Sequence, residues 1–425
     1  MRFLLTLAWK NLSRYRRRTI ITALAIAVGI ALFIMADAFL LGAEMETVRN
    51  LLYFETGSAR IMQKKFWEEK DYLLISYYLQ DPEAIQAELQ KAGYESTQRI
   101  SFFGEIMKLE QREGSFQIKM AGIDVETDSK VFKLADGIGE GDGHFLEAGK
   151  PEIIIGKDLA SDLDVKLDDW VLVTTKTAGE AYGKSGSWDD LELKVVGLLN
   201  TPNPLINKGS AFIPLDYAKE RLMMGNGATE VVVHFPEWED SASEVAKIKK
   251  DLQNLPDAEN WEVLDYKQLA REFIMLASTK SGAAQIILLL IFIIAVIGIS
   301  NTMLMAVFER VKEIGMMRAM GMKDKTIVWA FFLEATGIGI IGALMGLILG
   351  ILLTAYMVTW GLDFRSMIQG MGNIGYRTAG IFKAWWNPQT MVLAFFTGII
   401  ISGLVSLFPA LRAVKMQITD CLRDK

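Results

Sequence analysis

Cysteine occurs once in 425 residues, at Cys421, and histidine twice, at His144 and His234. A disulfide framework is thereby excluded, and a zinc site built on His and Cys has too few ligands, so no metal is expected. No Ser-His-Asp or Cys-His order stands out and the acids are scattered, which leaves nothing for nucleophilic or acid–base chemistry to use. The chain is expected to catalyse nothing itself. A nucleotide loop is also missing. Gly179-Glu-Ala-Tyr-Gly-Lys-Ser185 places three residues between its glycines where a phosphate-cradling loop needs four, and it reads as a surface hairpin loop. There is no basic stripe interleaved with exposed aromatics, which excludes nucleic acid as a partner.

What the chain has is apolar length and segregated charge. Half of it is hydrophobic (51%) and under a quarter charged (23%), too apolar for a wholly soluble protein and too charged for an all-membrane one. Residues 1–18 carry +6 and residues 38–307 carry −16, inside a total of only −6. Four apolar runs, 19–41, 283–308, 326–357 and 388–410, each exceed the roughly 20 residues that cross a bilayer. The fold class expected is a membrane protein of four transmembrane α-helices, with a large α+β extracytoplasmic domain inserted between helices 1 and 2. Residues 1–18, with an apolar stripe ending in basic residues, suit an amphipathic helix held against anionic lipid. The short loop 309–325 has a Lys/Arg excess, which places it, the termini and the tail 411–425 on the cytoplasmic side. Trp360, Trp385 and Trp386 flank the outer loop 358–387 as an aromatic belt would.

Residues 42–282 form the acidic insert. Its ends, 42–52 and 268–281, suit helical stalks continuous with the spans. Between them, 58–63, 82–92 and 100–123 read as strand, helix and strands, and so do 229–235, 240–255 and 261–264. Two strand-helix-strand units thus flank a strand-rich subdomain at about 126–226. Pro202 and Pro204 mark a turn between two of its strands. In the third span Gly342, Gly346 and Gly350 repeat every four residues, a helix-packing face. Asp37 is expected to be solvated at the interface and Glu334 to make an interfacial hydrogen bond.

Between the second and third runs stands Glu309-Arg-Val-Lys-Glu-Ile-Gly-Met-Met-Arg-Ala-Met-Gly321, with Val311, Ile314, Met317 and Met320 at helical spacing. This string resembles the coupling segment of bacterial ABC-transporter permeases of the macrolide-exporter, lipoprotein-releasing and cell-division superfamily. In layout the chain is closest to the lipoprotein-releasing subunits. The start Ala8-Trp-Lys-Asn-Leu-Ser-Arg14, the phrase Pro151-Glu-Ile-Ile-Ile-Gly-Lys-Asp158 and the closing Pro409-Ala-Leu-Arg-Ala413 resemble the same superfamily. The resemblance implies that Glu309, Arg310, Glu313, Ile314, Gly315, Arg318, Ala319 and Gly321 contact a cytoplasmic ABC ATPase dimer. ATP and Mg would sit on that partner, and this chain would hold no cofactor. It further implies a second permease copy or a related permease as partner, and a place in the bacterial inner membrane. The expected work is passing ATP-driven motion to the outer domain to extract lipoproteins or other membrane or periplasmic cargo. The loop of Pro202 and Pro204 is the candidate contact for a lipoprotein or its periplasmic carrier. Two alternatives stand beside this: export of a peptide or drug with an outer-membrane partner, and non-transporting regulation of a cell-wall hydrolase.

Overall fold

The computed structural model describes residues 14, 16–109, 114–179, 186–236, 240–275, 310–363 and 381–415, with scattered positions between 279 and 309. Most of the amphipathic start, most of the second apolar run, the 180–185 stretch, most of the outer loop and the tail with Cys421 lie outside the described residues. The chain divides into two units, one drawn from 1–45, 276–365 and 381–425, the other mainly from 46–275.

The first unit is helical. Among the described residues three helices are long and apolar enough to cross a membrane: Arg16–Leu51 with its continuation to Thr56, Asp324–Thr359 and Pro388–Val414. Each exceeds the bilayer core, since 20 residues already rise about 30 Å. Ala23, Ile26, Ile30 and Ile34 recur at three- and four-residue steps, so one face of the first helix is buried, against Ala335, Ile338 and Ala343 of the second and Ala394 of the third. The opposite faces, with Ile20, Leu24, Ile348, Leu352, Phe396 and Leu404, are exposed and apolar, as lipid-facing surfaces are.

Lipid tails are as apolar as leucine, so these helices are held by close approach rather than by expulsion of water. A Cβ added at Gly342 would stand 2.8 Å from Ile26 Cβ, and one at Gly346 would stand 2.8 Å from the Ala27 carbonyl oxygen; at Gly350 the nearest atom, on Ile34, is 3.1 Å away. The glycine stripe therefore seats the first helix directly on the second. Asp37 is partly exposed and also bonded. Its carboxylate accepts a hydrogen bond from Asn387 Nδ2 at 2.8 Å, while Asn387 Oδ1 caps the last long helix at Thr390 N.

The second unit is one ten-stranded sheet with helices. Its strands are β1 (Ala59–Gln63), β2 (Glu95–Lys108), β3 (Phe116–Ile123), β4 (Ile138–Gly143), β5 (Glu152–Gly156), β6 (Trp170–Lys176), β7 (Trp188–Leu199), β8 (Ser210–Pro214), β9 (Glu230–His234) and β10 (Trp261–Asp265). The order is β10-β1-β9-β2-β3-β8-β5-β7-β4, with β6 pairing both β2 and β7. Helices Pro82–Lys91 and Ser241–Leu252 lie on one face, packing Ile85, Leu89, Val245 and Ile248 on Ala59, Ile61, Val231 and Val233. The strand-rich middle is no separate body, because the 14-residue β2 pairs with β9 at one end and β6 at the other.

Candidate functional site

The short helix Val311–Ala319 begins right after Arg310, and the helix Asp324–Thr359 starts five residues past its end. Its stop is a left-handed glycine. Gly321 has φ +87°, Met322 N donates to Met317 O at 3.0 Å and Gly321 N to Arg318 O at 2.9 Å, the two bonds of a Schellman cap. Met317 and Met322 then both pack on one small core, that of Ile314, Ile327, Ala413 and Val414. Gly321 thus makes the helix stop that a glycine at this place allows, the turn that releases the next helix, at an exposed position.

Two attachments hold this helix to the unit. Arg310 Nη1 donates to both carboxylate oxygens of Glu334, at 2.8 and 3.1 Å, and the two residues are 3% and 5% exposed. One nitrogen thus serves both oxygens, while Nε and Nη2 are buried without a hydrogen bond among the described residues, so the pair is held by charge more than by the two parallel bonds of a fork. Breaking it would leave a buried charge alone. The second attachment is Ile314, fully covered by Ile327, Ala413 and Val414. Both long helices on either side of it are thereby engaged. Gly315 is buried beside it.

The remaining expected site residues are placed differently. Glu313 lies 3.7 Å from Arg310 Nε and 3.8 Å from Arg14 Nη1, long and partly exposed contacts that contribute little. Arg318 Nε donates to Asp324 Oδ1 at 3.0 Å, across the turn. Glu309 and Ala319 are exposed, as are Lys312, Met316 and Met320, the last two 51% and 79%. So the helix has an anchored inner face and an open outer face rich in methionine, whose flexible thioether suits a docking surface. The sequence reading did not join Arg310 to Glu334. The available signal was an acid alone in an apolar span with a cation 24 positions earlier, since intramembrane charges pair.

In the sheet unit, Pro204 opens a short helix, Pro204–Gly209, and Pro202 precedes its cap Asn203. The turn is held from inside. Asn207 Oδ1 accepts from Thr201 N at 2.8 Å and its Nδ2 donates to Thr201 O at 2.9 Å, all buried, while Leu205 is left 63% exposed. Among the described residues one group, His144, Glu147 and Glu152, brings metal-type ligand atoms within 4.8 Å. Lys150 offsets one of its two negative charges, 2.5 Å from Glu147 and 3.9 Å from Glu152.

Comparison with known proteins adds the family. Residues 19–251 match the MacB-like periplasmic core domain and residues 285–418 the FtsX-like permease C-terminal domain. An uncharacterized ABC transporter permease of Methanocaldococcus jannaschii is 23% identical over 99% of this chain and 98% of its own. The lipoprotein-releasing system transmembrane protein LolC of Xylella fastidiosa is 24% identical over 94% of this chain and 92% of its own. The macrolide export ATP-binding/permease protein MacB of Campylobacter jejuni is 20% identical over 97% of this chain, which spans 60% of that longer protein. The crystallised periplasmic region of MacB from Actinobacillus actinomycetemcomitans aligns with 54% of this chain and 97% of its own at 13% identity and a TM-score of 0.36. The chain belongs to the FtsX-like permeases with a MacB-like periplasmic core domain, and is a membrane permease of the ABC-transporter class.

Proposed function

We propose that this chain crosses the inner membrane four times, with both termini cytoplasmic, and passes ATP-driven motion of a separate ATPase to its extracytoplasmic domain. It works beside a second copy or a related permease, and ATP and Mg²⁺ sit on the ATPase. The span added to the three helices above is 283–308, nearly all of it inside the stretch 285–418 that matches the FtsX-like permease C-terminal domain. The observation that carries the reading is the two-faced helix Val311–Ala319. A part that transmits force must be tied to what it moves and open to what moves it. Arg310 with Glu334 and Ile314 tie it; Met316 and Met320 are its open face.

Met316→Asp combined with Met320→Asp should leave the fold intact, because both side chains already face outward. It should weaken co-purification of the ATPase at least about a hundredfold, since burying each methionine contributes about 1.5–3 kcal/mol. An ATPase that stays bound to the double variant as tightly as to the native chain would end this assignment.

For cargo we favour lipoproteins or other membrane or periplasmic molecules. Support comes from the LolC relative, which matches nearly end to end, and from Leu205, held exposed on a rigid turn as a partner contact would be. Similarity to MacB over 97% of this chain supports export of a small molecule as the second reading. Lipoprotein recovered with the complex from native membranes decides for the first, and ATP-dependent export of a drug or peptide without it decides for the second.

A further inference from the structure

Strand register puts a row of polar residues on one face of the sheet, opposite the helices. Arg60 on β1 shares that face with Glu230 on β9, which stands across from Arg99 on β2; Ser101 follows on β2, then Lys119 on β3 and Ser210 on β8. The row is roofed by Phe54 and Glu55 and by the helix Pro204–Gly209, which leaves a cavity of about 210 Å³. Charges under a roof cost several kcal/mol each unless they are paired.

Two of the three cations are paired. Arg60 Nη1 donates to Glu230 at 2.5 Å and Nε to the Thr56 carbonyl at 2.8 Å. Arg99 donates to both oxygens of Asp128, at 2.9 and 3.1 Å, with its guanidinium 3.3 Å from the centre of the Phe132 ring. The Lys119 ammonium is different. Among the described residues it has no hydrogen bond and no ion pair; the residue is half-buried, and desolvation, with Arg60 and Arg99 nearby and Glu230 and Glu55 opposing, pushes its pKa down. Two acids act on it, Glu230 and Glu55; Glu230 is taken by Arg60, and Glu55 accepts from Asn203 Nδ2 at 2.9 Å.

The cavity is not closed off. Glu55 also lines a cleft of about 790 Å³ with Trp67, Lys70, Leu205 and Phe273, and with Arg60 and Lys119 it lines a third space of about 190 Å³. A small chamber of mixed lining, with its charged side chains on the sheet side and Phe54, Leu205 and Phe212 among its walls, therefore opens beside a larger cleft. At about 30 Å³ for each water, the chamber has room for a phosphate or carboxylate but not for a drug-sized molecule, which needs about 300 Å³ or more.

We propose that this chamber binds the anionic head of an amphiphile, a phosphate or carboxylate taken directly by Lys119, with the apolar part lying along Phe54, Leu205 and Phe212 toward the larger cleft. The anion supplies the partner that Lys119 lacks, in a place where a charge-assisted hydrogen bond is strong. Binding needs neither ATP nor the ATPase, so its failure would leave the coupling reading standing.

The test uses the full chain in a neutral detergent, with inorganic phosphate and dihexanoylphosphatidate as probes. Acetylation of Lys119 is followed by mass spectrometry, with exposed Lys166 as internal control, and phosphatidate binding is measured by calorimetry. A bound anion should slow acetylation of Lys119 about tenfold and leave Lys166 unchanged. Lys119→Met should weaken phosphatidate binding about tenfold, the value of one charged hydrogen bond, while Lys119→Arg retains it. Protection by both probes assigns the site to free anions as well as lipid heads; protection by phosphatidate alone assigns it to the amphiphile. Both outcomes support an anion site. No protection by either, or equal affinity in Lys119→Met, overturns it.

Discussion

Glu334→Ala should lower the stability of the helical unit by about 3–5 kcal/mol, the usual cost of leaving one partner of a buried ion pair alone. The figure applies without discount because both side chains are more than nine-tenths buried. Unfolding by a denaturing detergent, followed by helix content, measures it. Glu334→Gln, which can still accept one hydrogen bond, should lose less. Arg310→Met with Glu334→Met should regain most of the loss, since an apolar pair of similar volume replaces a desolvated one. A Glu334→Ala variant as stable as the native chain would show that the pair bears no weight. The double variant separates stability from transmission, because it should fold and yet hold the short helix less rigidly than the buried ion pair does.

Gly346→Val should be nearly as damaging, for a different reason. The new Cβ would lie 2.8 Å from the Ala27 carbonyl oxygen and 3.0 Å from its Cα, so backbone stands where a side chain would have to go. A flexible neighbour could swing aside; backbone cannot. The helices must separate, and with close packing as the main force between them the cost should be about 3 kcal/mol, the upper end for overpacking. Gly350→Val, whose nearest neighbour is an Ile34 side-chain atom at 3.1 Å, should cost distinctly less. Equal losses at the two positions would contradict this account of the stripe.

Features carried by local pattern were open to reading from the sequence. Apolar runs, the glycine stripe at four-residue spacing, and the helix 311–319 depend on neighbours within a turn or two. Pairings that depend on the whole fold were not. Strand β1 pairs with β9, about 170 residues later, and no local signal sets that register. The row from Arg60 to Lys119 depends on it and on the pairing of β9 with β2 and of β2 with β3. Arg310 matched the string associated with an ATPase contact, so its identity suggested an outward role, but burial turns it toward Glu334. Met320 looked like part of an apolar helical stripe with Val311, Ile314 and Met317, and the structure leaves it outside, past the end of the helix, while Ile314 and Met317 face the core. The Pro202 turn looked like an ordinary reversal; its buried Thr201 and Asn207 bonds cannot be seen in a Pro-bearing sequence.

The central claim is that force applied to the helix Val311–Ala319 reaches the extracytoplasmic domain. It is tested most directly in the assembled complex by the distance between spin labels at Tyr72 and Trp360, both highly exposed, in a Cys421→Ser background. The account predicts that ATP shifts this distance in the otherwise native chain. It also predicts that Glu334→Ala abolishes the shift while the ATPase continues to hydrolyse ATP. An unchanged distance in the native complex, or an undiminished shift without Glu334, would contradict it.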